Sequence, residues 1–263
     1  MKKTLIALAV AASAAVSGSA MAWTQSTIDN SVNIGGNIHP VTIPSPWEAE
    51  VGAAVSGLDK DVATGAKHVS IRVEQAIPVL GIRTKDTNAF VGREGISPRV
   101  SYGDVVGNNS YADSTVNVTL QVSDTQGNQI GQLTVPLFTA AEISKKGVTN
   151  QFGRLWSVFS SGSDRSFYPG LPRTAEQVAS DGIHDRSAAL FPAAVQNFNV
   201  QDIVANNDVG NADTFADPGY KYSAYYVSGI EAGKNINITL DEPLADGGAV
   251  AWRASLPVTV SYQ

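Results

Sequence analysis

The end of the chain constrains the fold more than any other segment. Polar residues and Pro257 alternate there with apolar ones, a period of two that predicts a β-strand with one apolar face. Pro257 has no backbone donor, which favours an edge position or a bulge. A long apolar edge invites pairing with another chain unless something covers it. The apolar face consists of Trp252, Ala254, Leu256, Val258, Val260 and Tyr262.

The same alternation recurs earlier in the chain. It is clear in His68–Glu74, Thr115–Ser123, Gln132–Leu137 and Asn235–Leu240, with Gly- and Asn-rich clusters between such runs. Short alternating strands with little helix between them predict an all-β antiparallel sandwich or barrel.

The character changes between about residues 147 and 220. Residues 174–180 and 186–206 carry helix-like spacing, with Asp185 placed to cap the second helix and Pro192 in its first turns or starting it anew. We expect a small α/β-containing subdomain inserted in a loop of the sandwich, where function is often carried. The expected inward positions are Leu190, Ala194, Phe198 and Ile203.

The first residues have the features of a secretory signal. Lys2 and Lys3 precede a short apolar stretch, and Ala20-Met21-Ala22 fits a cleavage site, so we expect a signal peptide over 1–22 and a mature chain from Trp23. The alternative is a buried N-terminal helix. No later apolar run is long enough to span a bilayer, which predicts no membrane insertion.

Composition excludes several classes of partner and site. The formal net charge of −6 argues against nucleic acid, because phosphate binding requires basic clusters. The chain has no cysteine, so disulfides and thiolate metal sites are excluded. Core burial or association with another chain must therefore stabilise the fold.

The mature N-terminus, residues 23–40, has a strand-like alternation of its own. One reading is an ordinary first strand. The other is a donor strand that completes the sheet of a neighbouring copy, with main-chain hydrogen bonds for affinity and alternate side chains in groove pockets. On the second reading the donor face consists of Ile28, Val32, Ile34, Gly36 and Ile38.

Several short motifs, in this order along the chain, resemble one family. It is the FaeG-type (kappa-class) major subunits of chaperone–usher fimbriae, in which the major subunit is itself the adhesin. Besides the signal, the matching segments are Ser31–Ile38, Trp47-Glu48, Pro78–Gly81 with Arg83–Lys85, Leu155–Phe159, Phe167–Pro172 and Trp252–Tyr262.

The resemblance implies an incomplete immunoglobulin-like sandwich of the pilin type over 41–263, with a lectin-like inserted subdomain. A periplasmic chaperone strand would complete the sandwich first, and the N-terminal extension of the next subunit would complete it in the fibre after passage through an outer-membrane usher. The chain departs from the commoner pilin pattern at Val250, where glycine is usual, and matches only loosely over 174–220. Receptor specificity is therefore not implied.

Two sets of site residues follow. For the acceptor groove we expect the C-terminal face, namely Trp252, Leu256, Val258, Val260 and Tyr262; the alternative is that these residues are simply core. For a host glycoconjugate receptor, aromatic rings and convergent polar groups are needed, and the candidates are Phe159, Trp156, Arg154, Arg165, Phe167 and Tyr168. The resemblance implies a receptor role for Phe159, whereas the rings of Trp156 and Phe159 are alternatively core.

Catalytic and metal sites are not expected. The histidines, His39, His68 and His184, are far apart in sequence, and no nucleophile elbow or zinc-protease pair is present. The cluster Asp181, His184 and Asp185 is read as a helix cap. The segment 207–213 is read as a polar surface loop because it lacks the full spacing of a calcium loop. No cofactor is predicted.

Three functions remain in view. The leading hypothesis is an exported major fimbrial subunit that polymerises by donor-strand exchange and binds host glycans at the cell surface. The second is a structural or minor subunit without receptor binding. The third is a secreted glycan-active enzyme, which requires two carboxylates about 5–10 Å apart in a cleft.

Overall fold

One strand of unusual length organises the fold. The computed structural model describes residues 44–106, 111–204, 208–246 and 249–263, which belong to one unit, Thr42–Gln263. The strands are β1 (Trp47–Val51), β2 (His68–Arg72), β3 (Ile77–Thr84), β4 (Phe90–Val91), β5 (Pro98–Ser101), β6 (Thr115–Ser123), β7 (Gln129–Gly147), β8 (Gly153–Phe159), β9 (Asp208–Asn211), β10 (Tyr220–Ile230), β11 (Asn235–Leu240), β12 (Arg253–Ala254) and β13 (Thr259–Tyr262). The helices are α1 (Ile183–Leu190) and α2 (Pro192–Val195), with a 3₁₀ turn at Ala175–Gln177.

The long strand β7 belongs to two halves of one 11-stranded sheet. Its first half lies between β6 and β11, and its second half lies between β8 and β10. Strands β2, β3 and β1 continue the sheet outwards, while β5 and β13 form a separate two-stranded sheet. The chain is therefore all-β with an immunoglobulin-like, pilin-type fold, as the sequence predicted.

The predicted strands are confirmed where alternation is strong. Strands β6 and β11 have the predicted bounds, β2 ends two residues early, and Gln132–Leu137 is the centre of the longer β7. In β6 the apolar positions Val116, Val118 and Val122 are buried against the core, whereas the alternate positions face solvent.

The helix predictions are only partly correct. The segment 174–180 contains a single 3₁₀ turn. The predicted helix over 186–206 begins earlier, at Ile183, and stops at Leu190, and the short α2 starts anew at Pro192 because proline cannot donate within a helix. The residue at the N-cap of α1 is Gly182, with φ of 64°, so the prediction that Asp185 caps the helix is wrong; Asp185 lies in the first turn.

Two glycines let the helices lie close to the sheet. A Cβ on Gly81 of β3 would lie 2.9 Å from the Cβ of Ala194, and one on Gly229 of β10 would lie 2.7 Å from a methyl carbon of Leu190. A second buried cluster forms at this contact and includes Phe138 on one face of β7. Within the described ranges no helix is long and apolar enough to cross a membrane.

The C-terminal strand is interrupted. One continuous strand was predicted, but β12 pairs with β6 and β13 pairs with β5, with residues 255–258 between them outside any strand. Pro257 lies in this interruption, since it cannot contribute a donor to a ladder.

Candidate assembly groove and receptor pocket

The C-terminal segment is less buried than its sequence pattern requires. Trp252, Leu256, Val258 and Val260 pack against the main core, yet each is only half-buried. Tyr262 at the end of the face is 41% exposed. The core-facing residues of β6 are almost completely buried, so the C-terminal face lacks a covering layer.

This segment also has a free edge in the described structure. Strand β12 has β6 as its one described strand partner, and β13 has only β5. The facing segment, residues 52–63, contains no described strand or turn. Its backbone is bonded at its two ends, where Gly52 donates to the carbonyl of Val79 and the carbonyl of Ala63 accepts from Ala66. Between these two residues, and over residues 255–258, no described strand pairing occupies the backbone.

A cavity of about 470 Å³ lies between the two segments. Its rim is formed by residues 59–64 on one side and by Val250 and Trp252 on the other, and its floor includes Ile71 and Ile238. The cavity is thus a groove with an apolar floor and a rim that carries Asp59, Lys60 and Asp61, and a groove with apolar pockets beside a free sheet edge suits an added β-strand. The predicted donor residues Ile28, Val32, Ile34, Gly36 and Ile38 lie outside the described residues.

Two receptor candidates lie inside the protein. Trp156 is buried, and its indole N–H donates to the carbonyl of Asn211 at 3.2 Å. Phe167 is completely buried, with its ring stacked 5.5 Å from that of Tyr226. Their ring faces are occupied by protein, so the core alternative holds for Trp156, Phe167 is a core residue as well, and neither is carried into the proposal.

The remaining receptor candidates are half-buried. The Nε of Arg154 lies 2.7 Å from a carboxylate oxygen of Asp208, with its guanidinium over Trp156. Arg165 pairs with Asp164 at 3.1 Å. These two arginines are therefore occupied by carboxylates.

Tyr168 lies beside two other guanidinium groups. Arg173 lies 4.0 Å from the centre of its ring and Arg99 lies 5.3 Å away. Phe159, at the end of β8, packs against the second cluster. The structure therefore does not bring all six candidates to one surface.

A small pocket lies between β7, β8, β9 and the start of α1. It has a volume of about 200 Å³, and its lining includes Glu142, Ser157, Asp181, His184 and Asp185. It is concave and carries several convergent polar groups, as small-ligand sites do. Strand β8 places Phe159 two residues beyond Ser157 on the same face.

The polar network of this pocket centres on Glu142. One carboxylate oxygen accepts a hydrogen bond from the hydroxyl of Tyr225 at 2.7 Å and lies 3.1 Å from Nδ1 of His184. The bond to Glu142 raises the pKa of His184, against the opposing effect of burial. Burial raises the pKa of Tyr225 well above its usual value. Tyr225 therefore keeps its proton and donates it to Glu142.

The reading of segment 207–213 as a polar surface loop is wrong for its described part. Residues 208–211 form β9, which runs parallel to β8. Asp213 pairs with Lys145 at 2.8 Å, so its carboxylate is already neutralised. In the described ranges no group of three or more His, Cys, Asp or Glu side chains is arranged to hold a metal ion.

Sequence reasoning missed Glu142 as a pocket residue. The only signal was an acidic residue in an otherwise mostly apolar run, Leu133–Ile143. Such a residue indicates a buried partner, since an unpaired buried charge is costly. Its partners, His184 and Tyr225, are distant in sequence and become neighbours only in the folded chain.

Comparison with known proteins covers the full length of the chain. The sequence model of a family described as fimbrial, major and minor subunit, matches residues 1–263. K88 fimbrial protein AC of Escherichia coli is 32% identical, with all of both chains covered. K88 fimbrial protein AB, also of Escherichia coli, is 31% identical, and the F41 fimbrial protein of the same species is 27% identical, again with full coverage of both chains.

Proposed function

The chain belongs to the family of K88-type fimbrial major and minor subunits, and from this we propose that it polymerises by donor-strand exchange and that each copy binds a glycan on the host cell. Membership makes the protein a subunit of a cell-surface fibre, assembled with other subunits. The mechanism of assembly and the ligand are the proposed parts.

The half-buried C-terminal face carries the proposal for assembly. Val258 and Val260 occupy core-facing positions but keep part of their surface in water. Burying apolar surface is worth about 25 cal/mol per Å², so a strand laid into the groove gains this energy together with main-chain hydrogen bonds. The N-terminal segment 23–40 of a neighbouring copy has the matching alternation.

The same groove accounts for the proposed partners before assembly. An uncovered apolar edge aggregates readily, so a periplasmic chaperone that lends a strand would protect it during export. An outer-membrane usher would then exchange that strand for the extension of the next subunit. The neighbouring copies are thus both donors and acceptors.

A gel of periplasmic extract tests the assembly mechanism. The intact chain and a chain lacking residues 23–38 are each co-expressed with a matching chaperone and run unboiled in detergent. We expect a ladder of oligomers from the intact chain and none from the deletion. A single band from both, with the shortened chain folded, contradicts donor-strand exchange.

The small pocket supports the proposed glycan binding. Carboxylates such as Asp185 accept hydrogen bonds from sugar hydroxyls, and a half-exposed ring such as Phe159 can pack against the apolar face of a sugar. Both lie in the region 147–220, where the sequence predicted the receptor-binding subdomain.

A glycan array tests the receptor proposal. The protein is used as a monomer with its own donor strand fused behind Gln263, and compared with the variants Asp185→Asn and Phe159→Ala and with the distant surface variant Asn237→Ala. We expect Asp185→Asn to lose at least about tenfold in affinity, the cost of one hydrogen bond to a charged group, and Phe159→Ala to weaken binding because the ring contact with the sugar is lost. The Asn237 variant should bind as the parent does.

A parent that binds no glycan favours the structural or minor subunit, the second function considered. The burial of Trp156 and Phe167, which leaves fewer aromatic rings for a sugar, is consistent with that alternative. Turnover of oligosaccharides by the parent would instead favour the enzyme.

A further inference from the structure

An apolar patch lies at the end of the sheet where β7 turns into β8. Phe152 and Val148 are each 45% exposed, and Val204 is 88% exposed. Tyr220 and Ile203 are half-buried beside them. We call these five residues the end patch. A cluster of exposed apolar side chains often marks a surface that interacts with another molecule.

The end patch is held by local hydrogen bonds. The backbone N–H of Gly147 donates to the carbonyl of Phe152 at 2.9 Å, and that of Phe152 donates to the side-chain oxygen of Asn150 at 2.9 Å. The ring of Phe152 lies 5.5 Å from that of Tyr220, edge to face. On the other side, Ile203 packs over Gly153. The patch is thus preformed.

The chain enters the described fold beside this patch. The carbonyl of Pro44, the first described residue, accepts a hydrogen bond from the guanidinium of Arg93. The adjacent residue, Gly92, donates its backbone N–H to the carbonyl of Tyr220 at 3.0 Å. Pro44 therefore lies at the end of the sheet that carries the end patch.

The cavity of the assembly groove lies towards the other end of the sheet. Ile130 lines the groove at the start of β7, and the end patch begins just after Gly147 at the end of the same strand. The rise along a strand places these residues roughly 55 Å apart along β7. The cavity is thus far from the end patch, whereas the C-terminal end of the acceptor face, at Gln263, lies beside Ser97.

The length of the connection limits where the next copy can lie. Pro44 comes six positions after Ile38, the last predicted donor residue, and a fully extended chain of that length spans at most about 20 Å. A neighbour whose groove holds Ile38 must therefore lie close to Pro44, and hence close to the end patch.

We infer that the end patch is a contact between subunits: it packs on the neighbouring copy whose groove receives this copy's N-terminal segment. The inference rests on the proposed donor-strand exchange and adds a second, side-chain contact to it. Because the two surfaces in contact are different, the interface is heterologous and repeats into an open filament. Burial of Phe152 and Val148 would also restrict rotation about the short connection.

The absence of cysteine provides a clean test. Single cysteines are introduced by Phe152→Cys and Gln151→Cys at the patch, and by Asn237→Cys as a control on the exposed outer face of β11. The rate of maleimide labelling is measured for each variant in two forms. One is the monomer with its own donor strand fused behind Gln263, and the other is the assembled fibre. Gln151→Cys keeps the Phe152 ring and so reports on an unaltered patch.

We expect labelling at both patch positions to slow at least tenfold in the fibre, with the Asn237 variant unchanged. Patch cysteines that react equally fast in monomer and fibre overturn the inference but leave strand exchange intact. Failure of the parent chain to form a fibre overturns the proposed assembly itself. Slower labelling of the monomer on addition of host glycans, without protection in the fibre, would instead make the patch a receptor surface.

Discussion

The cost of truncating Val258 should depend on whether the groove is filled. A valine-to-alanine change removes two methyl groups, worth about 0.8 kcal/mol each when fully buried. Without a donor strand Val258 keeps at most about a third of its surface in water, so Val258→Ala should lower the free energy of unfolding by about 1.1 kcal/mol in the uncomplemented domain. In the complemented domain the loss should rise to about 1.6 kcal/mol.

A matched control lies in β6. Val118 is completely buried in the described structure and faces the same core. Val118→Ala should therefore cost about 1.6 kcal/mol or more in both forms, since the cavity adds to the loss. The two forms are the chain starting at residue 41 and the same chain with residues 23–40 fused behind Gln263.

Thermal unfolding followed by circular dichroism measures the effect. For a domain of this size, the extra loss of about 0.5 kcal/mol at Val258 corresponds to about 1–2 °C of additional shift in Tm. An equal shift for Val258→Ala in both forms would mean that a donor strand does not cover this face. The acceptor assignment would then be wrong, whatever the overall gain from complementation.

Three other predictions address the donor strand, the sheet–helix contact and the pocket. Val32→Asp should abolish surface fibres but not export, because an unpaired carboxylate in the groove is costly; a normal ladder of oligomers would contradict the donor face. Gly81→Val should lower the free energy of unfolding in urea by roughly 1–3 kcal/mol, since even a Cβ there lies 2.9 Å from a side chain of α2, and an unchanged midpoint would refute this packing. The bond to Glu142 raises the pKa of folded His184, so it stabilises the fold below the usual histidine pKa and is lost as pH rises through the raised value. His184→Gln should then lower the free energy of unfolding by about 0.5 kcal/mol at pH 5.5 and have no effect through this bond at pH 9. An equal shift of the urea midpoint at both pH values would argue against this contribution.

Local periodicity accounts for what could be predicted about the fold. In β6 and β11 one face is buried and the other faces solvent, so the alternation is written directly in the residues and even the bounds were correct. The C-terminal segment alternates for the same reason, and its apolar side chains do face the core.

The second half of β7 could not be predicted from an alternation of apolar and polar residues. Phe138 and Ala140 pack under the helices, while Ala141 and Ile143 face the main core. Because both faces of the strand are covered, apolar residues occupy consecutive positions and the period of two disappears. Only the docking of α1 and α2 on the sheet explains why this strand is so long.

The candidate receptor site was likewise predictable only in part from the sequence. Sequence alone determined that aromatic and basic residues cluster between Arg154 and Tyr168, and that residues 252–262 alternate between apolar and other positions. Tertiary structure decided that Trp156 and Phe167 are core and that Glu142 meets His184. The physical reason is that the burial of a side chain depends on residues distant in the chain, whereas the alternation of apolar and polar residues can be read from neighbouring positions alone.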